Sequence, residues 1–157
     1  MKTTLLIVLS LLLIIGCSDP IDLDTLVKRG GVFYEVNSDV PYSGDVISYY
    51  SSNGKKRLET KLIGGKPNGT IRKWYDNGQK MKQSIWKDGS VHGKFISWYE
   101  NGQKEGEGEM KDGVFLGIHT KWYENGQKQE EMETRHGKLI YIKKWTKDGE
   151  LYEDILF

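Results

Sequence analysis

One cysteine, three prolines and no surplus of positive charge set the first limits on this chain of 157 residues. With no second cysteine to join Cys17, no intrachain disulfide can form, so the fold must hold without a covalent staple. Apolar residues make up 37% of the chain, too few for the long apolar runs that fill a thick two-layer core. Charge of one sign is missing too: without residues 1–16, which carry Lys2 and no acid, 22 basic side chains stand against 22 acidic ones. Nucleic-acid binding draws much of its affinity from neutralised phosphates and needs a basic excess. Neutrality therefore argues against nucleic acid as a partner and against a polybasic membrane patch. The chain does have glycine, 19 residues of it, which implies many tight turns between short strands.

The one long apolar run lies at the start. Met1 and Lys2 precede a nearly unbroken stretch from Leu5 to Ile15, shorter than the roughly 20 residues that span a bilayer. It fits the apolar region of a secretory signal over residues 1–16. The following Ile14-Ile15-Gly16-Cys17 resembles the bacterial lipobox, in which the cysteine receives a diacylglycerol thioether and becomes the mature N-terminus. That resemblance implies lipidation at Cys17, a cell-envelope location and a membrane contact made through the lipid; two or three acyl chains anchor stably where one is marginal. Ser18 after the cysteine implies outer rather than inner membrane in a Gram-negative host. Residues 17–30 then read as a polar, lipidated tether with one short helical turn.

From there the sequence repeats itself, the feature to seek before any secondary structure. Lys73-Trp74-Tyr75-Asp76-Asn77-Gly78-Gln79-Lys80 returns as Ser97 to Lys104 and again as Lys121 to Lys128, each copy 24 residues after the last. A degenerate copy, Tyr49 to Lys56, precedes them, and a shortened one, Lys144 to Glu150, follows. The units span about residues 42–67, 68–91, 92–115, 116–139 and 140–152 within a domain of residues 31–157. Each parses as a hairpin whose corner is an Asn-Gly pair: Asn53-Gly54, Asn77-Gly78, Asn101-Gly102 and Asn125-Gly126. Asn-Gly is the pair that a two-residue type I′ turn demands. Gly64-Gly65, Asp88-Gly89, Asp112-Gly113 and His136-Gly137 close the units at the other end.

Alternation decides the layering. In Gly93-Lys94-Phe95-Ile96-Ser97-Trp98-Tyr99 neither face is purely apolar, and the returning strand from Gln103 to Met110 is more polar still. A sandwich needs one clean apolar face per sheet. The expected fold is therefore all-β: an elongated, single-layer antiparallel meander of hairpins, with tryptophan at one fixed position forming a row on one face and tyrosine a row on the other.

These copies resemble MORN repeats, specifically the bacterial MORN-variant repeats, whose pattern is similar to G-x-x-x-x-W-Y-x-N-G-x-K followed by a polar strand ending near Asp-Gly. The resemblance covers about residues 42–152 and implies the hairpin-stack fold. Proteins of this kind are often grouped with the YwqK-type antitoxins, which implies a toxin-neutralising or immunity role as an alternative; an exported, lipidated chain departs from the cytosolic place of an ordinary antitoxin.

Candidate chemistry is sparse. His92 and His136 each precede a glycine and are expected at equivalent loop positions, with His119 in mid-strand; no cysteine or carboxylate spacing joins them into a metal site. Neither a nucleophile elbow nor a phosphate loop occurs. The row Glu105, Glu107, Glu109 is expected to be a solvated, edge-protecting set of charges on one strand face. No enzyme activity and no cofactor are expected. The candidate binding face is aromatic: Trp74, Trp98, Trp122 and Trp145, with Tyr75, Tyr99 and Tyr123. The expected role is a protein-interaction or scaffolding module at the envelope, its partner an envelope protein or a toxin, with a glycan as the alternative ligand. The tail Leu151 to Phe157 is unlike the repeats and is expected to cap the stack.

Overall fold

The computed structural model describes residues 19–157. The proposed signal segment and Cys17 lie outside the described residues. In chain order the elements are β1 (Ile21–Asp22), a 3-10 turn (Leu23–Thr25), β2 (Val27–Arg29), β3 (Val32–Tyr34), β4 (Gly44–Tyr49), β5 (Lys56–Ile63) and β6 (Lys66–Pro67). There follow β7 (Gly69–Trp74), β8 (Lys80–Lys87), β9 (Ser90–Trp98), β10 (Lys104–Lys111), β11 (Val114–Trp122), β12 (Lys128–Arg135), β13 (Lys138–Trp145) and β14 (Leu151–Leu156). From β4 onward each strand pairs with the next along one 12-stranded sheet, with the short β6 on β5. The pairing is antiparallel except where β1 runs parallel to β4 at the first edge. This is the expected all-β meander.

The turns differ from the sequence reading, and the difference exchanges the two ends of the hairpin. At the Asn-Gly corners the asparagines do not adopt positive φ; only the glycines do, Gly78 at 93°, Gly102 at 85° and Gly126 at 84°. The amide of Gly102 donates to the Tyr99 carbonyl at 2.9 Å, and the Tyr99 amide to the Gln103 carbonyl at 2.8 Å. That is a three-residue loop, a turn followed by one left-handed residue that makes a bulge. A second bulge follows inside each strand pair, where the register shifts just beyond the tryptophan, as between Lys104 and Gly106. The first corner is one residue longer, with Gly54 donating to Tyr50. The type I′ turns sit at the other end. Asp88 and Gly89 (φ 51° and 87°), Asp112 and Gly113 (51° and 81°) and His136 and Gly137 (51° and 75°) all take the left-handed pair, joining strands directly across two residues. Aspartate tolerates that conformation better than most residues, which is why it recurs there.

Register divides the side chains into two faces. Val46, Ile71, Phe95, His119 and Ile142 occupy one repeat position and share a face with Thr60, Ser84 and Met132. Trp74, Trp98, Trp122 and Trp145 lie on the other face, as expected. The stack is not bare throughout. The segment read as a tether carries structure from Ile21: β1 pairs with β4, and the 3-10 turn and the β2–β3 hairpin lie over the first hairpins. Leu23 and Phe33 close a cavity of about 200 Å³ with Leu62, Pro67, Ile71 and Trp86. The buried apolar residues, Val46, Leu62 and Ile71, all belong to this covered part. A glycine permits the closure. Gly65, at φ 70°, lies directly beneath Val32 and the Phe33 backbone, and a Cβ there would stand 2.6 Å from the Phe33 carbonyl oxygen.

Three expectations need correction. His92 lies within β9, while His136 lies in a turn, so the two are not equivalent. The glutamate row protects no edge, because β10 is paired on both sides. Nor does the row share one face: the bulge after Lys104 turns Glu105 toward the tyrosine row, where its charge acts on Tyr75 and Tyr99, whereas Glu107 pairs with Lys104 on the tryptophan face. The tail forms β14 and extends the sheet by one strand, leaving Leu151, Tyr152, Leu156 and Phe157 exposed.

Candidate functional site

The repeated corner builds a repeated site. Each tyrosine hydroxyl donates to the backbone carbonyl of the next repeat's tryptophan: Tyr50 to Trp74 (2.7 Å), Tyr75 to Trp98 (2.8 Å), Tyr99 to Trp122 (2.7 Å) and Tyr123 to Trp145 (2.9 Å). Each corner asparagine does a parallel task. Its Oδ1 accepts from the amide two residues on, and its Nδ2 donates to the next corner, Asn53 to Asp76, Asn77 to Glu100, Asn101 to Glu124 and Asn125 to Lys147. Asparagine is there to stitch neighbouring hairpins, and glycine alone supplies the left-handed backbone. Gly102 and Gly126 have a second reason to lack a side chain: the Gln79 and Gln103 amides of the preceding corner lie against them.

These bonds satisfy carbonyls at half-buried positions, so each hydroxyl is worth more than the bond alone. Tyr99→Phe is expected to lower stability by about 1–2 kcal/mol, since it removes one hydrogen bond and leaves the Trp122 carbonyl without its donor. A urea midpoint that does not move would refute the stitching role. Burial, then the charges of Glu105 and Glu124, holds the Tyr99 hydroxyl above its ordinary pKa and keeps it a donor.

On the opposite face an ammonium group lies over each tryptophan ring. Lys56 stands 5.2 Å from the Trp74 ring, Lys80 5.9 Å from Trp98, Lys104 5.2 Å from Trp122 and Lys128 5.1 Å from Trp145. Three of these lysines are positioned by a glutamate three residues on, each at 2.7 Å: Glu59, Glu107 and Glu131. In the second unit Gln83 stands in place of the glutamate, and there the lysine lies farthest from its ring. Contacts of this kind are worth about 0.5–1 kcal/mol each at exposed sites. The candidate binding residues thus form a half-buried row of tryptophans roofed by cations. Side-chain hydrogen bonds from Lys128 and then from Tyr141 hold the Glu131 carboxyl below its ordinary pKa against some burial. Tyr141, half-buried and donating to that carboxylate at 2.9 Å, is pushed up to about 12, first by its partial burial and then by that bond.

Other chemistry-bearing groups are scattered. His92, in β9, meets Asp112 of the next turn at 2.9 Å. His119, in mid-strand as expected, is only 4% exposed and packs between Phe95 and Phe115, with ring centroids at 5.4 and 4.7 Å. Among the described residues no three His, Cys, Asp or Glu side chains converge on a point that would hold a metal ion. The fifth tryptophan, Trp86, was absent from the expected set. It lies on the tyrosine face and donates from Nε1 to the Ser84 hydroxyl at 2.8 Å. Its place outside the repeated Trp-Tyr pair was the available signal.

Residues 67–88, 91–112 and 115–136 each match the family described as MORN repeat variant. Each match runs from just before an opening glycine, through the Asn-Gly corner, to the first residue of the next Asp-Gly or His-Gly turn. The flanking hairpins, β4–β5 and β13–β14, pair into the same sheet on either side of the matched units. No curated protein matches the chain.

Proposed function

We propose that this MORN-repeat protein is a non-catalytic protein-interaction module, held at a bacterial cell envelope through lipid on Cys17. The observation that carries the reading is how little the sheet hides. Only three apolar side chains are buried among the described residues, all under the N-terminal segment, while on the later hairpins the buried side chains are the polar His119 and Thr120 and the apolar ones stay in part on the surface. Such a surface is held rigid by backbone pairing and by the tyrosine and asparagine stitches, so its side chains are pre-ordered before any partner arrives, which lowers the entropic cost of association. The lysine roof over the tryptophans favours a protein partner over a glycan, because a sugar needs an open ring face to stack on. A neutral charge balance is consistent with a protein partner as well.

Two measurements test it. Metabolic labelling with a tagged fatty acid should mark the chain and fail to mark Cys17→Ser. Affinity purification of the full chain from detergent-solubilised envelopes should recover a specific protein that Lys104→Glu with Lys128→Glu no longer retains. Recovery of nothing above the empty-resin control would refute the module; a toxin as the recovered protein would favour the immunity role over scaffolding.

A further inference from the structure

One cross-strand position of the repeat is balanced in the later hairpins and unbalanced in β7–β8. There a lysine on the first strand faces a glutamate on the returning one: Lys121 meets Glu130 at 3.2 Å, and Lys144 meets Glu153 at 2.7 Å. The same position in β9–β10 sets Ser97 opposite Gly106, and in β4–β5 Ser48 opposite Leu58. In β7–β8 it sets Lys73 directly opposite Lys82. Like charges facing each other across a sheet are destabilising. The outer neighbours give no relief, since Leu58 flanks Lys73 and Ser97 flanks Lys82. Arg57 and Asp24 nearby are engaged with one another, at 2.8 and 3.0 Å. Among the described residues neither lysine takes part in an ion pair.

This pair lies at the cavity of about 200 Å³ under the N-terminal segment. Of the residues that line it, only Lys73 and Lys82 are exposed, so the mouth is on their side. Behind them Leu23, Phe33, Leu62 and Trp86 give apolar walls. Between mouth and walls stands Ser84, two residues along β8 from Lys82 on the same face and 2% exposed. Its hydroxyl accepts from Trp86 Nε1 at 2.8 Å and, among the described residues, has no acceptor for its own proton. Buried hydroxyls are ordinarily satisfied. An apolar interior, a spare donor and two uncompensated cations therefore converge on one enclosed space.

We propose that this cavity binds a small monocarboxylate with an aliphatic tail. The carboxylate lies between the Lys73 and Lys82 ammonium groups and accepts from the Ser84 hydroxyl. The tail fills the space between Leu23, Phe33, Leu62 and Trp86. Volume sets the size: sites for drug-sized ligands run from roughly 300 to 1,000 Å³, so this one holds a chain of a few carbons and excludes a whole lipid. An apolar void of comparable size, lined by aliphatic and aromatic side chains, stays dry and takes up small apolar molecules. The opposed lysines set the sign of the charge. The site lies away from the tryptophan row and does not depend on the interaction-module reading.

Isothermal titration calorimetry on the full chain in lipid nanodiscs tests this, with hexanoate, acetate, hexan-1-ol and hexylamine as probes. Hexanoate should bind at one site per chain, at least about tenfold more tightly than each of the other three. Lys82→Glu gives β7–β8 the lysine–glutamate pair of the later hairpins. It should therefore keep or raise the thermal midpoint while weakening hexanoate by about tenfold or more. Lys73→Ser, which copies the residue of β9, should weaken hexanoate as well. The cavity is not a carboxylate site if the parent shows no saturable hexanoate binding, or if either variant binds hexanoate as tightly as the parent. Acetate as tight as hexanoate would reduce the site to a surface charge pair, and hexan-1-ol or hexylamine as tight would remove the role of the lysines; each overturns the proposal.

Discussion

Leu62→Ala is expected to unfold the beginning of the stack while the later hairpins stay folded. Leu62 is 1% exposed and faces Leu23, Phe33, Pro67 and Ile71 around a cavity already present. A truncation beside an existing void leaves walls that are held by backbone pairing and cannot collapse onto the gap, which places the cost in the upper part of the range, about 3–5 kcal/mol. In a globular domain that loss would be shared by every residue. Here each hairpin contacts only its neighbours, so stability is close to a sum of local terms. Amide hydrogen exchange should therefore lose protection across β4, β5 and β7 and in the N-terminal segment, while β11 to β13 keep theirs. Uniform loss of protection from one end to the other would show instead that the sheet unfolds as a single unit.

That contrast follows from features of unequal legibility. The 24-residue spacing, the hairpins and the opposite rows of tryptophan and tyrosine could be read directly, because each depends on period and alternation. The turn types were misassigned for a physical reason. Asn-Gly is the strongest short signal for a type I′ turn, yet it is equally at home where asparagine takes an ordinary backbone and only glycine is left-handed. What decides between them is the asparagine side chain, which here reaches a carbonyl of the next repeat, and no property of the single hairpin reveals that bond. The N-terminal cover was hidden for a similar reason. Leu23 and Phe33 are separated from Leu62 and Trp86 by long stretches of chain, and lone aliphatics in a polar segment carry no period. The tryptophan row was legible as residues but not as an environment, since the lysine over each ring comes from the preceding unit.

His119→Phe should make the protein more stable, and most of all in mild acid. The position belongs to the column Val46, Ile71, Phe95 and Ile142, where every other unit carries an apolar residue. His119 is buried there with its Nδ1 unsatisfied, a loss of about 1–3 kcal/mol relative to a site with no polar atom to satisfy. Phenylalanine sets a ring between Phe95 and Phe115 with no such atom, over the space that Gly108 leaves open. Burial first, and then the neighbouring Lys121 charge, hold the imidazole below its ordinary pKa, against a smaller pull from Glu130. The folded chain thus resists a proton that the unfolded chain accepts. Above about pH 6.5 both states are neutral at this residue and no penalty arises; as the pH falls below that value the unfolded state gains the proton alone, and stability is lost until the folded histidine titrates too. Carboxylates such as Glu59 and Glu131, whose pKa values are lowered, lose their contribution in a separate and more acidic window. Thermal midpoints at pH 7.5 and pH 5.5 separate the two effects. The variant should exceed the parent at both, by the larger margin at the lower pH; an equal acid loss in parent and variant would place the sensitivity elsewhere.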